Sequence, residues 1–516
     1  MTDLVTLLDQ HARTQSRKEA LRAQDRTWSY GDLARASSQA AAALSAQGIA
    51  AGDRVALLCF NTPGFVFALF GAWRLGATVV PVNHKLQAPE IEYMLEHSRA
   101  KLCIFDGALA PTVRKVKTPI DWLTTENGAQ GIASFDELLS AAAPLTGHTP
   151  AQDGLAEILY TSGTTGKPKG CMHSHHNVFM TAMAASLGMS LTRMDRTLIA
   201  MPIWHSSPLN NWLLGTLLVG GTVVLLREYA PQPFLQTLAD ERISFTFGAP
   251  IAFLAPLTAV PDVSRYDLSA MRLWAYGGGP IGSDMARKLC DAYRSDRFVQ
   301  VYGMSEVGPL GSALYPEDAA AKAGSIGCAG MPGVAMEVRH PDGRRCAAGE
   351  VGEIYLRTPS MMQGYLNDPD ASAQAFDADG WYRSGDLVRV DDDGYLYIVD
   401  RLKDMIITGG ENVYSKEVED AISAHPGVQD VAVIGRPHPE WGETVTALLV
   451  ARQGVTLNIA ELQDFLSARL ARYKIPRAFE IRDALPRTPT GKLLKHVMRA
   501  ELAMQPASQN VQAASQ

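Results

Sequence analysis

Tyr160-Thr-Ser-Gly-Thr-Thr-Gly-Lys-Pro-Lys-Gly170 is the stretch whose reading decides the fold and the chemistry. It continues the apolar, strand-like run Ile158-Leu159-Tyr160 and packs three glycines, four Ser/Thr hydroxyls and two lysines into eleven positions. Backbone N–H groups bared by glycine, hydroxyl donors and ammonium groups are what polyphosphate oxygens need around them. The Walker A loop is excluded. It requires four residues between its glycines and Ser or Thr after its lysine, whereas Gly163 and Gly166 are separated by two residues and Pro168 follows Lys167. A flexible linker can share this composition, but linkers do not normally set two lysines behind a buried strand. The candidate phosphate cradle is therefore Thr161, Ser162, Gly163, Thr164, Thr165, Gly166 and Lys167.

On either side of the cradle, short β-like runs alternate with helical segments. The alternation predicts strands at 54–60, 77–82, 101–105, 197–201, 222–226, 244–248, 273–276 and 299–302, with helices at 63–75, 89–97, 232–242 and 284–293. Such a pattern calls for doubly wound, mostly parallel sheets. Ligands in such sheets sit beyond the carboxyl ends of the strands, so the loops at Thr161, Gly277 and Gly303 are expected to converge on one crevice. From about Gly327 the texture turns to β-like runs with Pro/Gly/Asp turns. Beyond Arg401 the order strand, helix, two strands, helix, strand, helix suits a small α+β sandwich. The expected class is α/β plus α+β.

Composition narrows the partners. At 516 residues, 47% hydrophobic and 20% charged, the chain reads as an ordinary soluble globular protein of several cores. A net charge of −7 argues against a general nucleic-acid or anionic-membrane binder. Six scattered cysteines with no C-x-x-C pair fit reduced thiols. The N-terminus has no basic segment followed by an apolar one, so a cytoplasmic protein is expected. The most apolar stretch, Val55–Trp73, is broken by Asn61-Thr-Pro-Gly64 and reads as strand, turn and buried helix, not a membrane span. Residues 505–516 read as a disordered tail, ending in Ala-Ala-Ser-Gln, which is not a peroxisomal address. His173, His175 and His176 lack a Cys or carboxylate at ligand spacing, so a helix start is the better reading than zinc.

Seven further segments follow in fixed order: Pro202-Ile-Trp-His205, Tyr276-Gly-Gly-Gly-Pro280, Val301-Tyr-Gly-Met-Ser-Glu306, Trp381-Tyr-Arg-Ser-Gly-Asp386, Asp400-Arg-Leu-Lys-Asp404, Thr408-Gly-Gly-Glu-Asn412 and Pro486-Arg-Thr-Pro-Thr-Gly-Lys492. One of them, Gly303-Met-Ser-Glu-Val-Gly308, is G-x-S-x-x-G, one residue too long for a serine-hydrolase nucleophile elbow. With the cradle, the set resembles the adenylate-forming (AMP-binding) superfamily over roughly Tyr30 to Lys495, on its acyl-CoA synthetase and aryl-CoA ligase branch. The resemblance implies a large N-terminal domain, 1–402, of two doubly wound sheet subdomains and a β-barrel-like region. It also implies a small mobile C-terminal α+β domain, 403–503, ahead of the tail at 504–516.

The same resemblance implies roles. His205 lies beside the carboxylate to be activated. Gly277, Gly278, Gly279 and Pro280 form the turn against which adenine packs, since missing side chains let a flat base approach backbone. Tyr302 lines adenine, followed by Gly303, Met304 and Ser305, the last near phosphate. Glu306, with Thr161, holds Mg²⁺, a hard cation suited to oxygen ligands. Asp386 takes the ribose hydroxyls, Arg401 the ribose-phosphate side, and Lys403 the hinge, where many relatives carry Asp. Gly409 and Gly410 belong to the loop for thioester formation, with Trp441 bordering the pantetheine path. Lys492 reaches the α-phosphate and the acid. Lys492, His205, Glu306 and Thr161 are thus the expected catalytic residues.

The implied acid pocket comprises Trp204, His205, Ser206, Ser207, Asn210, Trp212, Gly278, Val301, Pro309 and Leu310. Long-chain enzymes often carry Gly where this chain has Val301, so a short- or medium-chain, branched, carnitine-type or aromatic acid is expected. The implied reaction is acid + ATP → acyl-AMP + pyrophosphate, then acyl-AMP + CoA → acyl-CoA + AMP, with ATP, Mg²⁺ and CoA as cofactors and co-substrates. An acyl-AMP ligase loading a carrier protein and a catalytically silent nucleotide-binding homologue are the alternatives. No nucleic acid or integral membrane partner is expected, and a homodimer is left open.

Overall fold

The structure is a computed structural model that describes residues 3–126, 128–147, 153–161, 167–279, 281–487 and 493–504. Two compact units emerge. The larger holds the chain ahead of the phosphate-type loop, Pro168–Glu337 and Tyr355–Arg383; the smaller holds Val338–Ile354 and the chain from Ser384 onward.

Strands buried on both faces read as unbroken apolar runs rather than alternating ones. Thr78–Pro81, Leu102–Asp106 and Thr222–Leu225 are buried along their whole length. They help to build two large sheets in the first unit. One has eight strands in the order Gly311–Leu314, Phe298–Gly303, Leu273–Gly277, Phe245–Gly248, Arg196–Ile199, Thr222–Leu225, Glu19–Ala23 and Arg26–Ser29. Its inner pairings are parallel and both outermost pairings antiparallel. The other has seven strands in the order Gly364–Tyr365, Lys169–Ser174, Leu155–Thr161, Thr78–Pro81, Arg54–Leu58, Leu102–Asp106 and Asp121–Thr125. The alternating α/β reading therefore holds, with one refinement. Lys169–Ser174 returns antiparallel to Leu155–Thr161, with Thr161 opposite Lys169. The phosphate-type loop thus joins two antiparallel strands, whereas a Walker loop leads from strand to helix.

Helix Pro63–Arg74 is buried at every position, as expected of a helix apolar on all sides. It packs so tightly on helix Tyr30–Ala46 that a Cβ on Gly71 would lie 2.5 Å from the Ala40 side chain. Its terminal Arg74 is buried, yet paired with Asp9 and Ser37, which offsets the cost of burying a guanidinium.

The β-textured segment forms a four-stranded sheet in the order Ala335–Arg339, Val351–Arg357, Tyr382–Val390 and Leu396–Arg401. In the smaller unit, Glu411–Val413, Ile406–Thr408, Gly442–Ala451 and Val428–His438 are neighbours in order, and Ala478–Ile481 pairs parallel with Gly442–Ala451. Strand side chains alternate between faces. Val431, Val433, Ala447 and Leu449 therefore pack with helices Ser415–Ser423 and Ile459–Ser467, while Ala432, Ile434, Leu448 and Val450 pack with helix Lys495–Met504. This is the α+β sandwich expected. Among the described residues no helix is long and apolar enough to cross a membrane.

Candidate active site

Three loops of the first unit were expected to converge, and among the described residues the strand ends that lead into them meet through Thr161, Glu306, Gly277 and Val301. Leu273–Gly277 and Phe298–Gly303 are adjacent parallel strands, with Gly277 opposite Val301. Leu155–Thr161 belongs to the other sheet, yet Thr161 Oγ1 donates to Glu306 Oε1 at 3.4 Å. Tyr365 OH donates to the same oxygen at 3.2 Å. Burial, reinforced by the Glu306 charge, pushes the Tyr365 and Tyr382 phenols well above their usual range, so near neutral pH both keep their protons. The Lys169 ammonium lies 4.8 Å from the Tyr365 ring centroid, within cation–π range. Glu306 thus meets hydroxyl donors and makes no ion pair among the described residues. An oxygen-rich set with an unneutralised carboxylate suits a hard divalent cation. Tyr365 was missed by sequence reasoning, and Lys169 was read only as one of the two lysines of the run Tyr160–Gly170. Tyr365 falls between motifs, and only the pairing of Gly364–Tyr365 with Lys169–Ser174 brings it in.

Ser162, Gly163, Thr164, Thr165, Gly166, Pro280 and Lys492 lie outside the described residues. Lys167 is described and exposed. Gly278 follows its strand with φ +85°, a left-handed conformation that favours glycine. Neither Gly278 nor Gly279 has a neighbour within 4 Å of an added Cβ. Tyr302 pairs with Ser312 across the sheet, and Gly303 with Gly311. Met304 caps the short turn Ser305–Val307 that carries Glu306.

His205 hangs from a buried knot that sequence reasoning also missed. Asn61 is 3% exposed. Its Oδ1 accepts from Ile203 N at 2.9 Å, and its Nδ2 donates to the Met201 and Leu226 carbonyls at 3.0 Å each. The turn Pro202–His205, closed by a bond from His205 N to Pro202 O, is thereby tied to the helix entrance at Pro63. Trp204 and His205 stack, with ring centroids 4.0 Å apart. Asn61→Ala strands these buried backbone groups and is expected to cost about 2–3 kcal/mol. That appears as a lower urea midpoint, accompanied by slower adenylation.

Three of the expected acid-pocket residues, Ser207, Asn210 and Trp212, fall on one wide turn. Ser207–Leu213 is π-helical, a form that recurs at functional sites. Side chains hold it: Trp212 Nε1 donates to Ser207 Oγ at 3.0 Å, Asn211 Nδ2 to Pro309 O at 3.1 Å, and Asn210 Nδ2 to Glu157 Oε1 at 2.6 Å. Ser206 and Ser305 share a hydroxyl bond of 2.8 Å. The Trp212 ring packs 5.0 Å from Phe245 and 5.6 Å from Phe247. An added Cβ on Gly277 would lie 3.0 Å from Val301 Cγ2 and 3.2 Å from Phe247. Val301, Phe247 and Trp212 therefore make a continuous bulky wall. Asn210, Trp212 and Leu310 are fully buried.

In the smaller unit, Asp386 and Arg401 are cross-strand partners. Arg401 Nε lies 3.0 Å from Asp386 Oδ1, so the two expected ribose-side residues form one ion pair. Lys403 is exposed two positions on. Gly409 and Gly410, with φ +59° and +83°, turn the chain between Ile406–Thr408 and Glu411–Val413, where two successive left-handed residues favour glycine. Gly409 N donates to the Trp441 carbonyl at 2.9 Å. The Trp441 ring is sandwiched, with His438 stacked at 4.5 Å and Arg477 at 3.6 Å. Trp441 thus joins the glycine turn while also serving as packing.

The sequence matches the family model described as AMP-binding enzyme over residues 8–366, and the AMP-binding enzyme C-terminal domain over residues 417–492. The chain belongs to the AMP-binding enzyme family. Feruloyl-CoA synthase of an Amycolatopsis species is 38% identical over 478 residues, covering 91% of this chain and 93% of its own. The long-chain-fatty-acid–CoA ligase FadD13 of Mycobacterium tuberculosis is 37% identical, covering 92% of each chain. The o-succinylbenzoate CoA synthetase of Bacillus subtilis, solved with its acyl-adenylate intermediate, superposes with a TM-score of 0.86 at 30% identity, covering 98% of this chain and 99% of its own. The chain stands on the acyl- and aryl-CoA ligase branch as an ATP-dependent, AMP-forming acid–CoA ligase.

Proposed function

We propose that this ligase activates a compact acid, of short or medium chain, branched, carnitine-type or aromatic, and transfers it to CoA. The carrying observation is the wall of Val301, Phe247 and Trp212, packed through Gly277 and braced by Ser207. It puts the branched Val301 side chain, not a glycine, at the strand position where a tunnel for a long chain would start. The aromatic product named for the Amycolatopsis relative agrees with this reading; the long-chain acid of the mycobacterial one supplies the competing reading.

The acid is ionised near neutral pH, so adenylation needs little proton transfer. Its barrier is the approach of one anion to another, which donors and positive charge lower. His205, stacked on Trp204, is assigned to donate to the acid without holding it as a fixed cation. Thr161 to Lys167 are assigned to the departing β- and γ-phosphates, and Lys492 to the α-phosphate. Glu306 and Thr161 would hold Mg²⁺, which neutralises phosphate charge when bound. Tyr302 and Gly277–Pro280 are assigned to adenine, and the Asp386–Arg401 pair to ribose. We take residues 403–503 as the moving domain, Lys403 as its hinge, and Gly409, Gly410 and Trp441 as the group serving the CoA thiol, which attacks the acyl carbonyl and expels AMP.

Pyrophosphate release with ATP, Mg²⁺ and a panel of butyrate, octanoate, palmitate, benzoate and ferulate, with and without CoA, tests the reading. Turnover of compact acids with formation of their CoA thioesters is expected. A preference for palmitate overturns the pocket assignment. Turnover indifferent to CoA points to a carrier protein, and no release with any acid to the silent homologue. Val301→Gly is expected to raise kcat/KM for palmitate relative to butyrate by roughly tenfold or more, because each added contact in an apolar pocket is worth about 1–3 kcal/mol.

A further inference from the structure

Glu157 is a carboxyl with no assigned task, buried without a counter-charge. It lies in Leu155–Thr161, four positions ahead of Thr161, and is 0% exposed. Its backbone neighbours across the sheet are Val79 and His173. His173 is itself buried, and desolvation pulls its pKa down to about 4, so it is neutral and offers no cation. Among the described residues no Lys or Arg pairs with Glu157. An isolated carboxylate in such a place is too costly to persist, and burial pushes the Glu157 pKa up to about 7. Among the described residues the side chain makes one bond, accepting from Asn210 Nδ2 at 2.6 Å. Glu157 Oε2 and Asn210 Oδ1 are both buried without partners among the described residues. When the carboxyl carries its proton, those two atoms are a donor and an acceptor. The neutral acid is therefore the form that buries no uncompensated charge beside the Asn210 amide.

Asn210 sits at the middle of the π-helical turn Ser207–Leu213. The other side-chain ties on this turn run to Ser207 within it and to Pro309 beside the Glu306 segment. The tie to Glu157 runs instead to the strand that delivers Thr161. We infer that Glu157 is a positioning residue for acid selection: through Asn210 it fixes the π-turn that sets Ser207 and Trp212 in the acid-pocket wall, in register with the strand leading into the phosphate cradle. A role in stability alone would be better met by an apolar pair, because replacing both members of a buried polar pair with well-packed hydrophobic groups is often neutral or stabilising. The inference rests on the acid-pocket assignment made above.

The test compares Glu157→Gln, Glu157→Leu and the double variant Glu157→Leu/Asn210→Leu, using butyrate, octanoate, benzoate and ferulate as probes. Glu157→Gln, uncharged and able to bond the amide, should keep kcat/KM for every probe within about threefold of the parent, since only one neutral hydrogen-bond pair is exchanged for another. Both Leu-bearing variants should raise KM for the preferred probe roughly tenfold and change the ranking of probes, with KM for ATP within about twofold. The double variant, which leaves no stranded amide, should also fold with a urea midpoint near the parent's. A folded double variant with the parent's ranking and KM values overturns the inference. So does a Gln variant as impaired as the Leu one. Trp212→Ala in the same panel separates the two levels. If it changes the ranking while the Leu variants do not, this inference alone fails; if it also leaves the ranking untouched, the acid-pocket assignment fails with it.

Discussion

Lys492→Ala is expected to stop acyl-AMP formation while leaving the conversion of supplied acyl-AMP and CoA to acyl-CoA within a few-fold of the parent. Two anions meet at the α-phosphorus in the first half-reaction, and removing one placed donor from such a site costs on the order of 10²–10³ in rate. In the second half-reaction a thiol attacks a carbonyl already activated, a step that the proposed division of labour assigns to the Gly409–Gly410 turn and not to this ammonium. The measurement is direct: pyrophosphate release with ATP and acid for the first step, thioester formation from synthetic acyl-AMP for the second. Equal loss of both in a folded variant would refute the division of labour between Lys492 and the Gly409–Gly410 turn.

Glu306→Gln should be comparably damaging, for a different reason. The amide keeps the shape and still accepts from Thr161 and Tyr365, now at 3.4 and 3.2 Å, so folding should be undisturbed. The charge is gone, and with it the carboxylate that suits a hard cation. Acyl-AMP formation is expected to fall by about two to three orders of magnitude. The Mg²⁺ concentration for half-maximal rate should rise, and chelation should abolish the parent's activity. An unchanged Mg²⁺ requirement in the variant would remove Glu306 from the metal site. Supplied acyl-AMP should again be processed, since adenylation alone handles the polyphosphate.

Much of this protein was legible before any coordinates. The apolar runs at Val55, Thr78, Leu102 and Thr222 announce buried parallel strands because both faces of such a strand meet protein. The two-residue alternation in Val428–His438 and Gly442–Ala451 likewise announces a sheet covered on both sides. The antiparallel return of Lys169–Ser174 was not legible. A six-residue run of Lys-Gly-Cys-Met-His-Ser has no strong period, and its direction is set by pairing with Leu155–Thr161 and Gly364–Tyr365. Motif positions such as Thr161, His205 and Glu306 could be named in advance because they sit in short segments whose types and order resemble those of a known family. Asn61, Glu157 and Tyr365 could not. Each acts through partners more than fifty positions away, and nothing in its own neighbourhood distinguishes it from an ordinary polar residue.

The cradle Tyr160–Gly170 shows where the division falls. Residue types and spacing alone pointed to phosphate and excluded a Walker loop, because backbone donors, hydroxyls and ammonium groups are properties of the chain itself. Tertiary structure alone decided what surrounds its first residue: a glutamate 145 positions onward and, on that glutamate, the hydroxyl of Tyr365. It also decided that Val301, Phe247 and Trp212 form one wall and that a buried Glu157 stands behind it. Local chemistry is written in consecutive residues, but charge neutralisation and pocket shape arise from distances between segments, and those exist only once the chain has folded.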